Sequence, residues 1–182
     1  MNWKNSASRY GSLTIGIHWL MVLLFVAVYG TVELHEAFEK GSALRQLLMT
    51  WHFMLGMLVF VLLWLRLAAR LSGPAPAIQP EPPSLQQLSS KLLHLALYAL
   101  MIGMPLTGWL MLSAAGKPIP FFGLELPALI GENESLAEQL EELHEVVGTT
   151  GYFLIGLHTV AALYHHYIVR DNTLTRMLPG RK

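Results

Sequence analysis

The stretch that decides the fold is LHEVVGTTGYFLIGLHTVAALYHHYIVR, residues 143–170. It is long and apolar, yet it carries four of the eight histidines in the chain. A polar ring placed in hydrocarbon costs several kcal/mol unless its nitrogens have partners. The histidines of this stretch therefore need partners.

The spacing of these histidines indicates what kind of partner. His144 and His158 are fourteen residues apart, so on a helix they share one face within roughly 40° and stand about 21 Å apart along the axis. The hydrocarbon core of a bilayer is about 30 Å thick. One ring is thus expected near each edge of the membrane. His165 follows on the same face, and His166 points away from it.

Composition predicts a membrane protein. Of the 182 residues, 53% are hydrophobic and 13% are charged, which is too apolar for a soluble domain of this size. The formal net charge of zero removes any electrostatic case for nucleic-acid binding. With no cysteine, disulfides, iron–sulfur clusters, zinc–thiolate sites and covalently attached haem are excluded. A redox cofactor must be held by histidine or methionine.

The apolar runs predict a four-helix transmembrane bundle of the all-α class, forming one domain over residues 1–182. The helices are expected at about residues 15–34, 48–70, 91–113 and 143–169. The proline-rich segment 72–84 must be an extended loop. Before the last span, ESLAEQLEELHE (134–145) predicts a short amphipathic interfacial helix, with Ser135 and Glu138 as a possible capping box. The basic start of the chain also suggests a secretory signal, but the first apolar run is near full spanning length and lacks a small-residue cleavage site.

The distribution of positive charge predicts the orientation. Four spans place both termini on one side, and that side holds nine of the twelve basic residues. By the positive-inside rule, both termini are expected in the cytoplasm. The nine residues are Lys4, Arg9, Arg66, Arg70, Lys91, Arg170, Arg176, Arg181 and Lys182.

This orientation sorts the histidines into two levels. His18 and His158 are expected near the cytoplasmic edge, and His52 and His144 near the outer edge. Two ligand pairs on separate helices, without cysteine, fit two b-type haems whose irons have six ligands and are suited to electron transfer. A metal transporter would instead need acidic partners beside the histidines. A structural bundle without any cofactor is the remaining alternative.

Two further histidines, His94 and His165, are expected at the cytoplasmic level. Either one could replace a ligand of the inner pair, or hydrogen-bond a quinone carbonyl or a haem propionate. The basic residues at this depth are candidates to pair with propionates: Arg9, Arg66 and Arg70. His35 and His166 are interpreted as packed or interfacial residues.

Several motifs carry a resemblance to a known family. They are SRYGSLTIGIHW (8–19), TWHFMLG (50–56), LLHLALYALMIGMPLTGWLM (92–111), the opening stretch up to HHY, and the tail RDNTLTRMLP (170–179). Over essentially its whole length the chain resembles the bacterial cytochrome b561 family. The tail is the most specific of these strings, because composition alone would not predict it.

The resemblance implies a di-haem b cytochrome of the inner membrane. His18, His52, His144 and His158 stand at the haem-ligand positions of the family, and His165 matches a position associated with its quinone site. The family activity, where assigned, is a superoxide oxidase that passes electrons through the haems to ubiquinone. The chain is accordingly expected to contact lipid, superoxide and ubiquinone.

The outer face departs from what this activity requires. Superoxide is an anion, so a surface that collects it should be positive. The basic residues expected there are only Lys40, Arg45 and Lys117, against ten acids. These three are the candidates to attract superoxide. The alternative is a cytochrome subunit that relays electrons between quinone and a partner such as a hydrogenase or formate dehydrogenase, since an acidic outer surface suits docking to a basic protein.

Overall fold

The computed structural model of the protein describes residues 3–7 and 9–179. Its main elements, in chain order, are α1 (Ser12–Glu36), α2 (Ala43–Leu71), α3 (Ser84–Ala114), the short strands β1 (Pro120–Phe121) and β2 (Leu124–Glu125), and α4 (Glu134–Tyr164). A π-helical turn (His165–Val169) continues α4, and a 3-10 turn (Thr175–Met177) follows. β1 and β2 pair antiparallel.

Within the described residues, four helices are long and apolar enough to cross a membrane. Large apolar side chains point outward from them: Leu23 of α1 is 67% exposed and Phe153 of α4 is 75% exposed. Such surfaces suit contact with lipid rather than with water. The predicted all-α membrane fold with four spans is confirmed.

The helices begin earlier than the apolar runs indicate. α3 begins at Ser84 instead of about Lys91, and the carbonyl of Pro83 already accepts from the N–H of Gln87. Polar residues extend the first turns because a helix continues as long as its backbone hydrogen bonds are satisfied. A hydropathy pattern reports only the part that lies in lipid.

The amphipathic segment before the last span is helical, as expected, but it is not a separate element. It forms the first turns of α4, which begins at Glu134. The predicted capping pair, Ser135 and Glu138, is wrong. The side-chain oxygen of Asn133 accepts from the N–H of Leu136 at 3.1 Å, so Asn133 is the N-cap.

The chain divides into two compact units, and each helix contributes to both. Unit 1 comprises Met1–Leu20, Trp64–Leu100 and Thr150–Lys182, and unit 2 comprises Met21–Leu63 and Met101–Thr149. Two of the basic residues that predict the orientation, Arg181 and Lys182, lie outside the described residues.

In unit 1, hydrogen bonds tie both chain ends to the rest of the unit. The buried Asn5 donates to the carbonyl of Ala69 and accepts from the N–H of Gly11. Gly11 must be glycine because an added Cβ would stand 2.3 Å from the carbonyl oxygen of Trp3. At the other end, the indole N–H of Trp19 donates to the carbonyl of Met177 at 2.7 Å. The tail motif RDNTLTRMLP therefore has a structural use, since Met177 within it accepts this hydrogen bond.

In unit 2, the long loop between α3 and α4 is attached to the end of α3. The buried hydroxyl of Ser113 donates to the carbonyl of Trp109 and accepts from the N–H of Leu129. The N–H of Asn133 donates to the carbonyl of Ala114 at 2.8 Å. The bond from Asn133 satisfies a carbonyl at the C-terminus of α3 and places the start of α4 beside it.

Candidate functional site

The first histidine pair lies in unit 1. His18 of α1 and His158 of α4 have ring centres 6.3 Å apart, with their planes at 79°. Both rings are half-buried. The residues stand on helices far apart in sequence, and packing brings them together.

The second pair lies in unit 2. His52 of α2 and His144 of α4 have ring centres 6.1 Å apart, with planes at 77°. The two pairs thus have nearly the same separation, although different helices supply them. α4 contributes one histidine to each pair, fourteen residues apart.

These separations suit a metal between the rings. When two imidazoles bind one metal from opposite sides, each with a nitrogen about 2.0 Å from it, their ring centres are roughly 6 Å apart. Both pairs match this value. Each pair of residues therefore fits a haem that the two histidines would hold, which is the chemistry expected of histidine pairs in a bundle.

The nitrogen environment of the second pair also fits a bound group. The Nδ1 of His52 lies 3.2 Å from the carbonyl of Val28, which places its proton on Nδ1 and leaves Nε2 for a metal. The Nδ1 of His144 is buried and has no hydrogen-bond partner among the described residues. Buried polar atoms in this state need a partner from outside the chain.

Glycine leaves space beside His144. A Cβ added to Gly108 of α3 would stand 3.3 Å from Cε1 of the His144 ring. A Cβ added to Gly148, one turn after His144 on α4, would stand 3.3 Å from the methyl of Met104. Larger residues at these positions would crowd the ring and its surroundings.

Arg66 of α2 is the basic residue that lies beside the His18–His158 pair. It interacts electrostatically with both rings. Its Nε and Nη1 atoms are buried and have no hydrogen-bond partner among the residues described. Arg66 is thus the propionate candidate whose buried nitrogens still need a hydrogen-bond acceptor. Arg70, in contrast, is exposed, and Arg9 donates to the carbonyl of Leu178 at 3.4 Å.

His94 of α3 lies next to the first pair. Its ring centre is 5.4 Å from that of His158, and its Nδ1 lies 2.6 Å from the carbonyl of Ser90. His158 therefore has two histidine neighbours. His94 is exposed, whereas His18 is half-buried, so the two neighbours differ in their access to water.

His165 belongs to a separate polar cluster at the end of α4. Its Nδ1 hydrogen-bonds the carboxylate of Asp171, and its Nε2 lies 3.0 Å from the amide nitrogen of Gln86 on α3. Sequence reasoning singled out His165 but missed Asp171 and Gln86. The string DNTL, which begins at Asp171, belongs to the tail that resembles the family. It is the sequence signal that could have pointed to Asp171.

The three basic candidates for attracting superoxide differ in whether an acid lies beside them. The guanidinium of Arg45 donates to the carboxylate of Glu36 at 3.1 Å and to the carbonyl of Phe38 at 2.8 Å. The same carboxylate lies 3.0 Å from Nδ1 of His35. The charge of Arg45 is thus largely compensated, and Lys40 and Lys117 are exposed.

The first turns of α4 carry an exposed set of acids in unit 2. All of them project from the polar face of the amphipathic segment, which lies beyond the apolar part of the helix. They are Glu134, Glu138, Glu141, Glu142 and Glu145.

Comparison with known proteins gives a consistent result. The family described as prokaryotic cytochrome b561 matches residues 9–180. Cytochrome b561 homolog 1 of Escherichia coli (strain K12) is 35% identical over 175 residues, covering 96% of this chain and 99% of that protein.

Two further relatives match over similar lengths. A probable superoxide oxidase of Yersinia pestis is 36% identical over 174 residues, covering 96% of this chain and 98% of that protein. Cytochrome b561 homolog 2 of Escherichia coli (strain K12) is 29% identical over 186 residues, covering 98% of this chain and 95% of that protein.

The family match spans nearly all of the described chain, and it agrees with the four apolar helices and the paired histidines. Haem b and membrane electron transfer come with this family, and its prokaryotic membership indicates the bacterial inner membrane. The chain belongs to the prokaryotic cytochrome b561 family.

Proposed function

We propose that the protein binds two haems b per chain and carries electrons from superoxide at the periplasmic face to ubiquinone at the cytoplasmic face. His52 and His144 hold the outer haem, and His18 and His158 hold the inner one. The observation that carries this proposal is the pair of matching separations, 6.1 Å and 6.3 Å. With two histidines at each site, a haem held there would supply one-electron transfer rather than oxygen binding.

The chain's own residues set the conditions for this transfer. The carbonyl of Val28 orients His52, and such an outer partner makes the imidazole a stronger ligand. The positive charge of Arg66 lies beside the inner pair. When bound, the haems supply one-electron chemistry, and the surrounding apolar helices exclude water from it.

The overall reaction balances as follows. Two superoxide anions each lose one electron and leave as oxygen, and ubiquinone takes up the two electrons with two protons to give ubiquinol. Among the relatives, the name of the Yersinia pestis protein supports the superoxide step. Oxidation is placed at the outer face and quinone reduction near His165.

A second candidate is a cytochrome subunit that relays electrons between quinone and a partner oxidoreductase. The exposed acids of α4 and the compensation of Arg45 by Glu36 favour it. An acidic surface repels superoxide but attracts a basic protein. Ionic strength distinguishes the two candidates, because salt screens repulsion and attraction alike.

The first prediction concerns the electron donor. Purified protein mixed with superoxide is expected to show rapid haem reduction, with reoxidation on addition of a ubiquinone analogue. Because Lys40 and Lys117 stand among many acids, the reduction rate should rise with ionic strength. Absorbance of the reduced haem follows the reaction, and superoxide dismutase in the assay is the control.

Two results would contradict the superoxide assignment. One is haem that stays oxidised with superoxide. The other is co-purification with a dehydrogenase or hydrogenase that reduces the haem, with an affinity that falls as salt is raised. The second result would establish the relay subunit instead.

The second prediction concerns orientation. Alkaline phosphatase fused after Gly123, in the turn between β1 and β2, is expected to be active, because that loop lies in the periplasm. Fusions after Ile78 in the proline-rich loop, or after Pro179, should be inactive. The reversed pattern of activity would place both termini outside and exchange the two haem levels.

A further inference from the structure

The hairpin formed by β1 and β2, in the loop between α3 and α4, has an unusual residue in its turn. Phe121 pairs with Leu124, so Phe122 and Gly123 form a two-residue turn, with φ of 47° and 86°. A turn with positive φ at both residues is of type I′, which strongly favours Asn followed by Gly. A bulky residue rarely adopts positive φ, because its Cβ crowds the backbone. A Phe at this position therefore needs a contact that offsets the strain.

Burial inside the protein supplies only part of that contact. Phe122 is 48% exposed, and the nearby Leu124 and Leu129 are 67% and 45% exposed. The whole segment 118–131 carries a single charged residue, Glu125. A continuous exposed apolar surface of this kind marks contact with another molecule or with lipid.

The hairpin folds back along α2 instead of projecting away from it. The N–H of Phe122 donates to Sδ of Met54 at 3.3 Å, and the rings of Phe122 and Trp51 have centres 6.1 Å apart. α2 begins at Ala43, so Met54 lies about 16 Å along its axis. The tip of the hairpin is thus beside a part of α2 that is well inside a membrane-crossing helix.

The backbone around the hairpin has the hydrogen bonding that contact with lipid requires. The N–H of Leu126 donates to the carbonyl of Ile119 at 2.9 Å, and the carbonyl of Pro127 accepts from the indole of Trp109 at 2.9 Å. Pro120 and Pro127 have no N–H that needs a partner. Unpaired backbone groups would exclude a segment from hydrocarbon, and these pairings remove that obstacle.

The apolar surface of the hairpin continues the exposed surface of α2. Leu44, Leu47 and Trp51 are all exposed, and their spacing places them along one face of the helix. Trp51 ends this row and contacts Phe122. Trp is enriched where hydrocarbon meets water in membrane proteins. The bilayer that α2 crosses is therefore the occupant that suits the hairpin as well.

We propose that the β1–β2 hairpin inserts into the membrane interface beside α2, with Phe122 as its anchor and with Leu124 and Leu129 against the acyl chains. Lipid in place of water around the Phe122 ring offsets the strain of the turn. Successive side chains of a strand point to opposite faces, so Glu125 faces away from Leu124 and remains in water. This inference depends on the membrane fold and not on the identity of the electron donor or acceptor.

Single cysteines test this inference, because the chain has no cysteine of its own. In Leu124→Cys the new thiol carries a nitroxide spin label, and the full-length protein is placed in phosphatidylcholine nanodiscs. Power saturation compares collisions of the label with oxygen, which concentrates in lipid, and with a nickel chelate, which stays in water. The label is expected to be several-fold more accessible to oxygen than to the nickel chelate.

Two reference positions calibrate the measurement. Leu23 is 67% exposed, the same fraction as Leu124, and it lies on the spanning helix α1. The label of Leu23→Cys should also favour oxygen. Lys117 is exposed and belongs to the same loop as the hairpin, so the label of Lys117→Cys should favour the nickel chelate. Circular dichroism verifies that each variant keeps its helix content.

Phe122→Asn separates the shape of the turn from the membrane contact. Asn is the preferred residue at this position of a type I′ turn, so the hairpin should keep its backbone while losing the apolar ring. When Phe122→Asn is combined with Leu124→Cys, access of the nickel chelate to the label should rise several-fold. Unchanged access would show that the Phe122 ring does not anchor the hairpin.

The other outcomes are equally decisive. A Leu124→Cys label as accessible to the nickel chelate as the Lys117→Cys label overturns the inference, since the hairpin then lies in water. A label protected from both reagents also overturns it, because protein rather than lipid covers the hairpin, and spin–spin broadening would identify a second copy of the chain as the cover. Haem reduction by superoxide tests the proposed function separately, so the failure of one is distinguishable from the failure of the other.

Discussion

Replacing His52 with alanine is expected to leave the purified protein with one haem b per chain in place of two. The same result is expected for His144, because each iron needs an imidazole on both sides. His18→Ala and His158→Ala should each remove the other haem. A pyridine haemochrome assay gives the haem content, and redox titration identifies which component is lost.

Controls for this prediction come from the remaining histidines. His35→Ala and His166→Ala should retain both haems, since they are interpreted as packed or interfacial residues. His94→Ala is the decisive control, because the His94 ring lies 5.4 Å from that of His158. If His94→Ala loses a haem and His18→Ala does not, His94 is the partner of His158. One haem in the wild-type protein would overturn the assignment of two sites.

Arg66→Met is expected to weaken binding of the inner haem and to lower its midpoint potential. A hydrogen bond to a charged group contributes about 1.5–3 kcal/mol, so its loss corresponds to roughly 10- to 150-fold in affinity. Haem gains negative charge on reduction, so removing a nearby cation disfavours the reduced form. Haem retention during dilution and a redox titration measure the two effects.

Arg70→Met is the matched control for this prediction. Arg70 lies one turn further along α2 but is exposed, so water screens its charge. Both haem affinity and potential should stay near the wild-type values. Equal effects of Arg66→Met and Arg70→Met would show that Arg66 has no specific role at the propionates.

The fold could be predicted from the sequence because it depends on local pattern. Apolar runs of spanning length reveal the four helices, since a bilayer admits few other structures. The ends of the helices were harder to predict from the sequence. α4 begins with Asn133 as its cap, and the first residues of α3 are polar, so hydropathy does not mark either boundary.

The histidine pairing was predicted from helix periodicity and membrane depth, and the structure brings the same rings close together. The haem assays are what test the ligand assignment itself. Depth did not distinguish His18 from His94 as the neighbour of His158, because both residues are expected at one level. It also did not distinguish Arg66 from Arg70, which lie one turn apart on α2 and differ in burial.

The sequence by itself determined the four spans and the family, and it predicted two membrane levels for the histidines. These follow from the fixed rise and rotation of a helix and from the thickness of lipid. Only the tertiary structure decided that Asp171 and Gln86 meet His165, that the half-buried Arg66 lies near His18 and His158, and that Glu36 compensates Arg45. Gln86 and His165 are 79 residues apart, and no local periodicity relates them; their contact depends on how α3 packs against α4.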